Sequence, residues 1–242
     1  MINLKNLTKY FGDLKVLEKI TCDIPEGDFM AVIGPSGCGK STLLRLILRL
    51  EEPTAGSIII NGNEISLLGE EELIKLRQKI GMVFQFGALF DSLSVLENVA
   101  FPLREHTKMT EREIARIVKE KLKMVEMEGT ENLMPAELSG GMQKRVGIAR
   151  ALAFDPSIIL YDEPTTGLDP VTSLTIEDLM IKLSRELRTT SIVVTHVMQT
   201  VYRVAKRIVM LHEGKFIEVG SPEQAQRTGN PIVKRFITGG KE

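Results

Sequence analysis

The sequence predicts an α/β fold, and three observations carry that prediction. The apolar run Phe29-Met30-Ala31-Val32-Ile33 leads into a glycine-rich turn, after which Leu43, Leu44, Leu46, Ile47 and Leu50 recur at helical spacing. Ile2 to Thr8 and Val16 to Ile24 alternate apolar and polar residues, as half-buried antiparallel strands do. From Ala88 to about Arg150 the character turns predominantly helical, after which short apolar strands return. At 242 residues the chain suits one large domain carrying an insertion. We expect a core over about 1–87 and 154–229, a helical subdomain over about 88–153 and a short helix and tail over 230–242.

The turn itself reads Gly34-Pro35-Ser36-Gly37-Cys38-Gly39-Lys40-Ser41-Thr42 and fits the phosphate-binding pattern G-x-x-x-x-G-K-[ST]. Glycine lets the backbone turn tightly, so that its N–H groups converge on phosphate oxygens at a positively polarised helix start. Lys40 is expected to reach the β- and γ-phosphates, and Ser41 or Thr42 to offer a hydroxyl to Mg²⁺. The residues therefore predict a nucleoside triphosphate site.

Composition bounds the alternatives. Hydrophobic residues at 43% and charged ones at 26% describe an ordinary globular protein, and a formal net charge of −1 gives no footprint for DNA or RNA. No apolar stretch reaches the ~18–20 residues of a membrane span, and Met1 to Lys5 lack a secretory layout, so a cytosolic chain is expected. Cys22 and Cys38 form no disulfide framework; Cys38 fills a small-residue slot in the phosphate turn, where a thiol reagent would interfere.

Taken in order, the first two strands flank Tyr10-Phe11-Gly12-Asp13, read as a loop on which Phe11, in preference to Tyr10, stacks on a nucleotide base. A strand at Ser57 to Ile60 meets a hairpin-type turn at Asn61-Gly62, and Glu70 to Lys79 reads as a short helix. Gly81 to Phe84 forms a strand ending at Gln85, whose carbonyl oxygen suits Mg²⁺ or the attacking water. Thr110-Glu111-Arg112-Glu113 is a capping box, followed by Ile114, Ile117, Val118, Leu122 and Val125 on one helical face. Leu138-Ser139-Gly140-Gly141-Met142 opens a helix to about Ala153. Its N-terminus suits phosphate, although a plain serine N-cap explains the same residues. The strand at 158–160 ends in Asp162 and Glu163, acids that are costly in a buried sheet unless they have work to do. Asp162 suits the Mg²⁺ shell, and Glu163 suits activation or polarisation of the attacking water. Gly167-Leu168-Asp169-Pro170 turns into a helix over about Val171 to Arg188, and the strand at 191–194 leads to His196, placed where a γ-phosphate would lie. Strands at 207–211 and 215–219 follow, then short helices begun by Ser221-Pro222 and Asn230-Pro231.

Together these residues resemble the nucleotide-binding subunits of ATP-binding-cassette (ABC) transporters over essentially the whole chain. The resemblance implies a P-loop NTPase cassette with a mixed core sheet, an antiparallel β-subdomain and an inserted helical subdomain. It makes Phe11 the base-stacking residue, Gly34 to Thr42 the Walker A motif, Gln85 the Q-loop, and Leu138 to Met142 the signature. Ile158 to Glu163 become Walker B, Gly167 to Asp169 the D-loop and His196 the switch. Met142 departs from the commonest signature, LSGGQ. The resemblance further implies Mg²⁺-dependent ATP hydrolysis in a head-to-tail dimer, where each ATP lies between one Walker A and the partner's Ser139, Gly140 and Gly141. An integral-membrane permease is implied too, with the subunit peripheral on the cytoplasmic face of the inner membrane. Gln85 to Val95, Glu97 to Leu103, the signature and the tail from Asn230 to Phe236 are similar to the ATPase of bacterial phospholipid transporters, which work with MCE-domain proteins and a small STAS-domain regulator. The alternatives are an amino-acid or other solute importer, which shares every catalytic motif, and a soluble cassette ATPase acting on ribosomes or DNA. The single cassette and near-neutral charge disfavour the last.

Overall fold

The computed structural model describes residues 1–85 and 87–240. Strands β1 (Ile2–Phe11) and β2 (Leu14–Ile24) form a hairpin, followed by β3 (Phe29–Ile33) and helix α1 (Lys40–Ile47). Next come β4 (Ala55–Ile60), β5 (Asn63–Glu64), α2 (Glu70–Gln78) and β6 (Ile80–Val83). Three helices, α3 (Val95–His106), α4 (Glu111–Met124) and α5 (Gly140–Ala151), precede β7 (Ile158–Asp162). The chain closes with α6 (Pro170–Leu187), β8 (Thr190–Val194), α7 (Met198–Val204), β9 (Arg207–His212), β10 (Lys215–Gly220), α8 (Pro222–Gln226) and α9 (Pro231–Ile237).

The strands make two sheets. One is antiparallel, in the order β2-β1-β4-β5; the other is mixed, in the order β10-β9-β3-β8-β7-β6, with only β10 antiparallel to its neighbour. In a strand, successive side chains point to opposite faces, and the core divides accordingly. Phe29, Ala31 and Ile33 of β3, with Ile159 and Tyr161 of β7, pack against helices α3 to α7. Met30 and Val32, with Ile158 and Leu160, face α1 and the antiparallel sheet. Both faces being covered, β3 and β8 are buried along their whole length, which is why they read as uninterrupted apolar or small residues.

Several expected boundaries move. Phe11 is not on a loop: Gly12-Asp13 is a two-residue turn tight enough for Phe11 to pair with Leu14, so Phe11 ends β1. Gln85 lies in a turn two residues beyond β6, and Glu163 lies just past β7 with φ at 48°, outside the ladder. Helix α5 ends at Ala151 because Leu152 already caps it. The cap signals at Thr110–Glu113, Ser221–Gln224 and Asn230 all start helices, as expected. Phe86, and residues 241 and 242 of the expected tail, lie outside the described residues. Among the described residues no helix is long and apolar enough to cross a membrane.

Candidate active site

Four parallel strands deliver the chemistry to one edge of the mixed sheet, the position where α/β folds bind ligands. Because β3, β8, β7 and β6 are neighbours, their C-terminal ends set side by side the phosphate turn, Thr195-His196, Asp162-Glu163 and Gln85. The backbone stitches them together: Thr195 N–H donates to Val32 carbonyl at 3.2 Å, and Glu163 N–H to Val194 carbonyl at 2.9 Å.

The phosphate turn wraps under the start of α1. Gly39 holds φ at 107°, and a Cβ there would sit 2.6 Å from Val16 Cγ1, so the β1–β2 hairpin leaves room only for glycine. Pro35, Ser36 and Gly37 are exposed at the tip of the turn, with Cys38 half-buried beneath them. Burial pushes the Cys38 thiol up, the Lys40 charge opposing. Lys40, only 6% exposed, spans the turn: its Nζ donates to the carbonyls of Gly34 at 2.9 Å and Pro35 at 3.0 Å, and stands 3.8 Å from Glu163 Oε1. Phe11, at the far end of the hairpin, is exposed, with the Lys9 ammonium 4.5 Å from its ring centroid.

Two carboxylates adjacent in sequence have different partners. Asp162 Oδ1 accepts from Ser41 Oγ at 2.9 Å, joining residues 121 apart in the chain. Burial lifts the Asp162 carboxyl above its ordinary value, with the Ser41 hydrogen bond pulling it down and the Glu163 charge pushing it further up. Glu163 is buried and accepts three contacts of 2.9 Å, from Thr166 Oγ1 and Thr195 Oγ1 on Oε2 and from His196 Nδ1 on Oε1. Burial alone would raise the Glu163 carboxyl, but the His196, Thr195 and Thr166 contacts outweigh it and hold it below its ordinary value. Glu163 is thus an anion at neutral pH. Its backbone sits in the left-handed region, which costs a non-glycine residue about 1–3 kcal/mol and clusters at functional sites.

A hydroxyl and a carboxylate at hydrogen-bond distance are hard oxygen donors, and Mg²⁺ takes one or two such protein ligands beside phosphate and water. The donor set of Ser41 and Asp162 therefore fits Mg²⁺. Thr42 is half-buried beside it, with no side-chain hydrogen bond to Asp162.

Other expected residues stand apart. Ser139 caps α5, its Oγ accepting from Met142 N–H at 3.3 Å, and Ser139 and Gly140 are exposed. Gly141 abuts Thr172 of α6, which leaves no space for a side chain. Asp169 caps α6, accepting from the N–H groups of Val171 and Thr172 at 3.0 Å. Among the described residues no hydrogen bond ties 139–141 or Asp169 to the phosphate turn of the same chain.

Three further groups, not singled out by local sequence pattern, belong to the site. Thr166 and Thr195 fix the Glu163 carboxylate, although the latter's place beside His196 was a usable signal. Thr165 Oγ1 contacts Thr200 Oγ1 at 2.8 Å, and Thr200 donates to Glu177 Oε1 at 2.7 Å, a buried polar chain from the turn after β7 to α6 and α7. Lys144 of α5, 4% exposed, donates to the carbonyls of Gln85 and Glu163; burial pushes its ammonium down to about 8, with Asp162 and Glu163 opposing.

Comparison with known proteins agrees with this geometry. Residues 17–166 match the family described as ABC transporter. The chain is 42% identical to the probable ribonucleotide transport ATP-binding protein mkl of Mycobacterium leprae, over 98% of this chain and 69% of that protein. It is 41% identical to the intermembrane phospholipid transport system ATP-binding protein MlaF of Haemophilus influenzae, over 99% of this chain and 90% of that one. A solved ATP-binding cassette, dimeric and in a post-hydrolysis state with ADP and Pi, superposes with a TM-score of 0.81 at 42% identity, covering 89% of this chain and 96% of that one.

Proposed function

The chain belongs to the ABC transporter family as an ATP-hydrolysing subunit, and from that premise we propose that the transporter it powers moves phospholipid between bacterial membranes. The observation that carries the cargo reading is the alignment with MlaF, which runs nearly end to end in both chains. Identity alone does not choose, since the relative named for ribonucleotide transport is equally similar but extends well beyond this chain. A solute importer is therefore the second reading.

In the proposed mechanism Lys40 leaves its own turn carbonyls for the β- and γ-phosphates, and the N–H groups of residues 36–42 cradle the phosphate oxygens. Ser41 and Asp162 would hold Mg²⁺, joined by the side-chain carbonyl oxygen of Gln85; when bound, the ion would neutralise charge on the phosphates. Glu163 polarises water, whose oxygen bonds to the γ-phosphorus while the bond to the β–γ bridging oxygen breaks. ADP leaves with that electron pair, and the water's proton passes to the Glu163 carboxylate. His196 positions Glu163 and the γ-phosphate together. Phe11 stacks on the base. Ser139, Gly140 and Gly141 act in trans, which the exposure of Ser139 and Gly140 and, among the described residues, the absence of hydrogen bonds to the phosphate turn of the same chain support, and Asp169 lies at the same dimer junction. ATP then joins two copies head to tail and hydrolysis releases them.

Cassettes of this family work with a membrane permease. Its proposed seat is a groove of about 440 Å³ whose lining includes Phe84, Phe90, Phe101, Phe154 and Arg150. The Phe90 and Phe101 rings pack at a tilt of 47° with centroids 4.7 Å apart and remain exposed, as a surface awaiting an apolar helix does. An MCE-domain lipid-binding protein and a STAS-domain regulator complete the proposed assembly, with this subunit peripheral on the cytoplasmic face of the inner membrane. The test is reconstitution with the permease and the MCE-domain protein, reading ATP-dependent phospholipid movement between vesicle and carrier. Phe90→Asp should keep soluble ATP binding and lose permease co-purification. A native partner that is a solute permease with a soluble receptor removes the lipid reading and leaves the ATPase.

A further inference from the structure

We propose that Lys144 is a positioning residue for hydrolysis, a strut whose ammonium ties together the backbones of Gln85 and Glu163 behind the reacting phosphate. The inference rests on Gln85 and Glu163 serving that phosphate.

Lys144 is in the second turn of α5, yet its side chain points into the protein rather than to water. Its Nζ donates to the Gln85 carbonyl, 59 residues away, and lies 3.4 Å from the Glu163 carbonyl. Both acceptors are backbone atoms, and among the described residues no carboxylate oxygen comes within ion-pair distance of Nζ. The Asp162 and Glu163 charges offset the burial of this ammonium only in part and neither touches Nζ, so the burial remains costly, and methionine would fill the same space without that cost. A lysine here is explained if the two carbonyls need holding.

Both do. Gln85 is in a turn beyond the end of β6, with no ladder partner, and Glu163 is strained into the left-handed region past the end of β7. Among the described residues, the Glu163 carbonyl accepts, apart from Lys144, only the Thr166 N–H, at a long 3.4 Å. Without the ammonium the Glu163 peptide is free to relax toward ordinary backbone, carrying its carboxylate off the line set by Thr195, Thr166 and His196. A displacement of about 1 Å in such a group costs about 10²-fold in rate. Lys144 also roots α5, whose N-terminus carries Ser139 to Gly141. A movement of that helix would therefore be felt at Gln85 and Glu163 through one side chain.

The test is steady-state ATP hydrolysis by the full chain, with ATP affinity and melting temperature measured alongside. Lys144→Met keeps the stem and removes the donors; it should lower kcat about 10- to 100-fold with ATP affinity within about twofold of the parent. Lys144→Gln keeps a donor on a side chain one bond shorter, and should lose only about threefold in kcat at unchanged KM. A Lys144→Met protein with kcat within twofold of the parent overturns the proposal, as does one whose turnover and ATP binding fall in parallel. If Lys144→Met does not fold, Lys144→Gln decides: a kcat loss at constant KM supports the strut, and joint movement of kcat and KM refutes it. Glu163→Gln in the same assay separates the two levels, since full activity there removes the reading of the site rather than the strut.

Discussion

Replacing Glu163 by glutamine tests the centre of the mechanism, and the structure sets what should and should not change. The carboxylate accepts from Thr166, Thr195 and His196, each at 2.9 Å. Glutamine is isosteric and keeps one carbonyl acceptor, while hydroxyl rotors can turn to accept from its amide. The net stability change should be about 1 kcal/mol, or ~2–4 °C in melting temperature for a chain of this size. Its pH dependence has a defined sign. Because the folded Glu163 is held below its ordinary value of 4.5, ionisation stabilises the fold above that pH, and the contribution is lost as pH falls through the lowered folded value. The gap in stability between parent and variant should therefore narrow on acidification. Turnover should respond far more: losing a positioned base costs about 10²–10⁴-fold, or ~3–5 kcal/mol of barrier. ATP affinity should persist, because Lys40 and the turn N–H groups remain, and the ATP-bound dimer should accumulate on size-exclusion chromatography with ATP and Mg²⁺. Phosphate release within tenfold of the parent would remove Glu163 from its role.

Two further outcomes are expected. Mixing a Lys40→Ala chain with a Ser139→Arg chain leaves one hybrid site intact and one doubly damaged, so single-turnover hydrolysis should reappear; silence despite proven hybrids counts against a shared site. The Tyr161 hydroxyl is fully buried and without a partner among the described residues, burial pushing the phenol well up, while its ring stacks on Phe29. An unsatisfied buried hydroxyl costs about 1–3 kcal/mol, so Tyr161→Phe should raise the melting temperature by ~2–4 °C or more, and a fall would reveal a hidden partner.

The parts legible in the sequence are those written in local patterns. The strand, glycine turn and helix at 29–47, the helix caps at Thr110, Ser221 and Asn230, and the acids and histidine at strand ends each depend on neighbours within a few residues. What escaped depends on partners distant in the chain. Lys144 sits beside Arg145 in a run that reads as a solvated helix face; Arg145 pairs with Glu126 near the surface, while Lys144 turns inward to Gln85. Lys121 likewise belongs to a charged stretch, yet it is 1% exposed and held by Asp155 and Glu120. Phe11 ends a strand rather than lying on a loop, because a two-residue turn and a four-residue loop look alike until the strand register is known.

The adjacent acids show how one strand end supplies two kinds of carboxylate. Asp162 is half-buried and Glu163 buried at the same sheet edge, so desolvation pushes both up. What separates them is the number of donors. Asp162 has the one Ser41 hydroxyl and the repulsion of its neighbour, and ends above its ordinary value; a divalent cation is the partner that would reverse that shift. Glu163 has three donors in place and is already ionised without one. Environments that drive two neighbouring groups apart mark a division of roles: Asp162 is built to be completed by positive charge, and Glu163 to stay anionic and meet a proton only when water reacts. The strained backbone at Glu163 belongs to the same design, because leaving the β7 ladder is what turns its carboxylate toward Thr195 and His196 instead of toward Ser41.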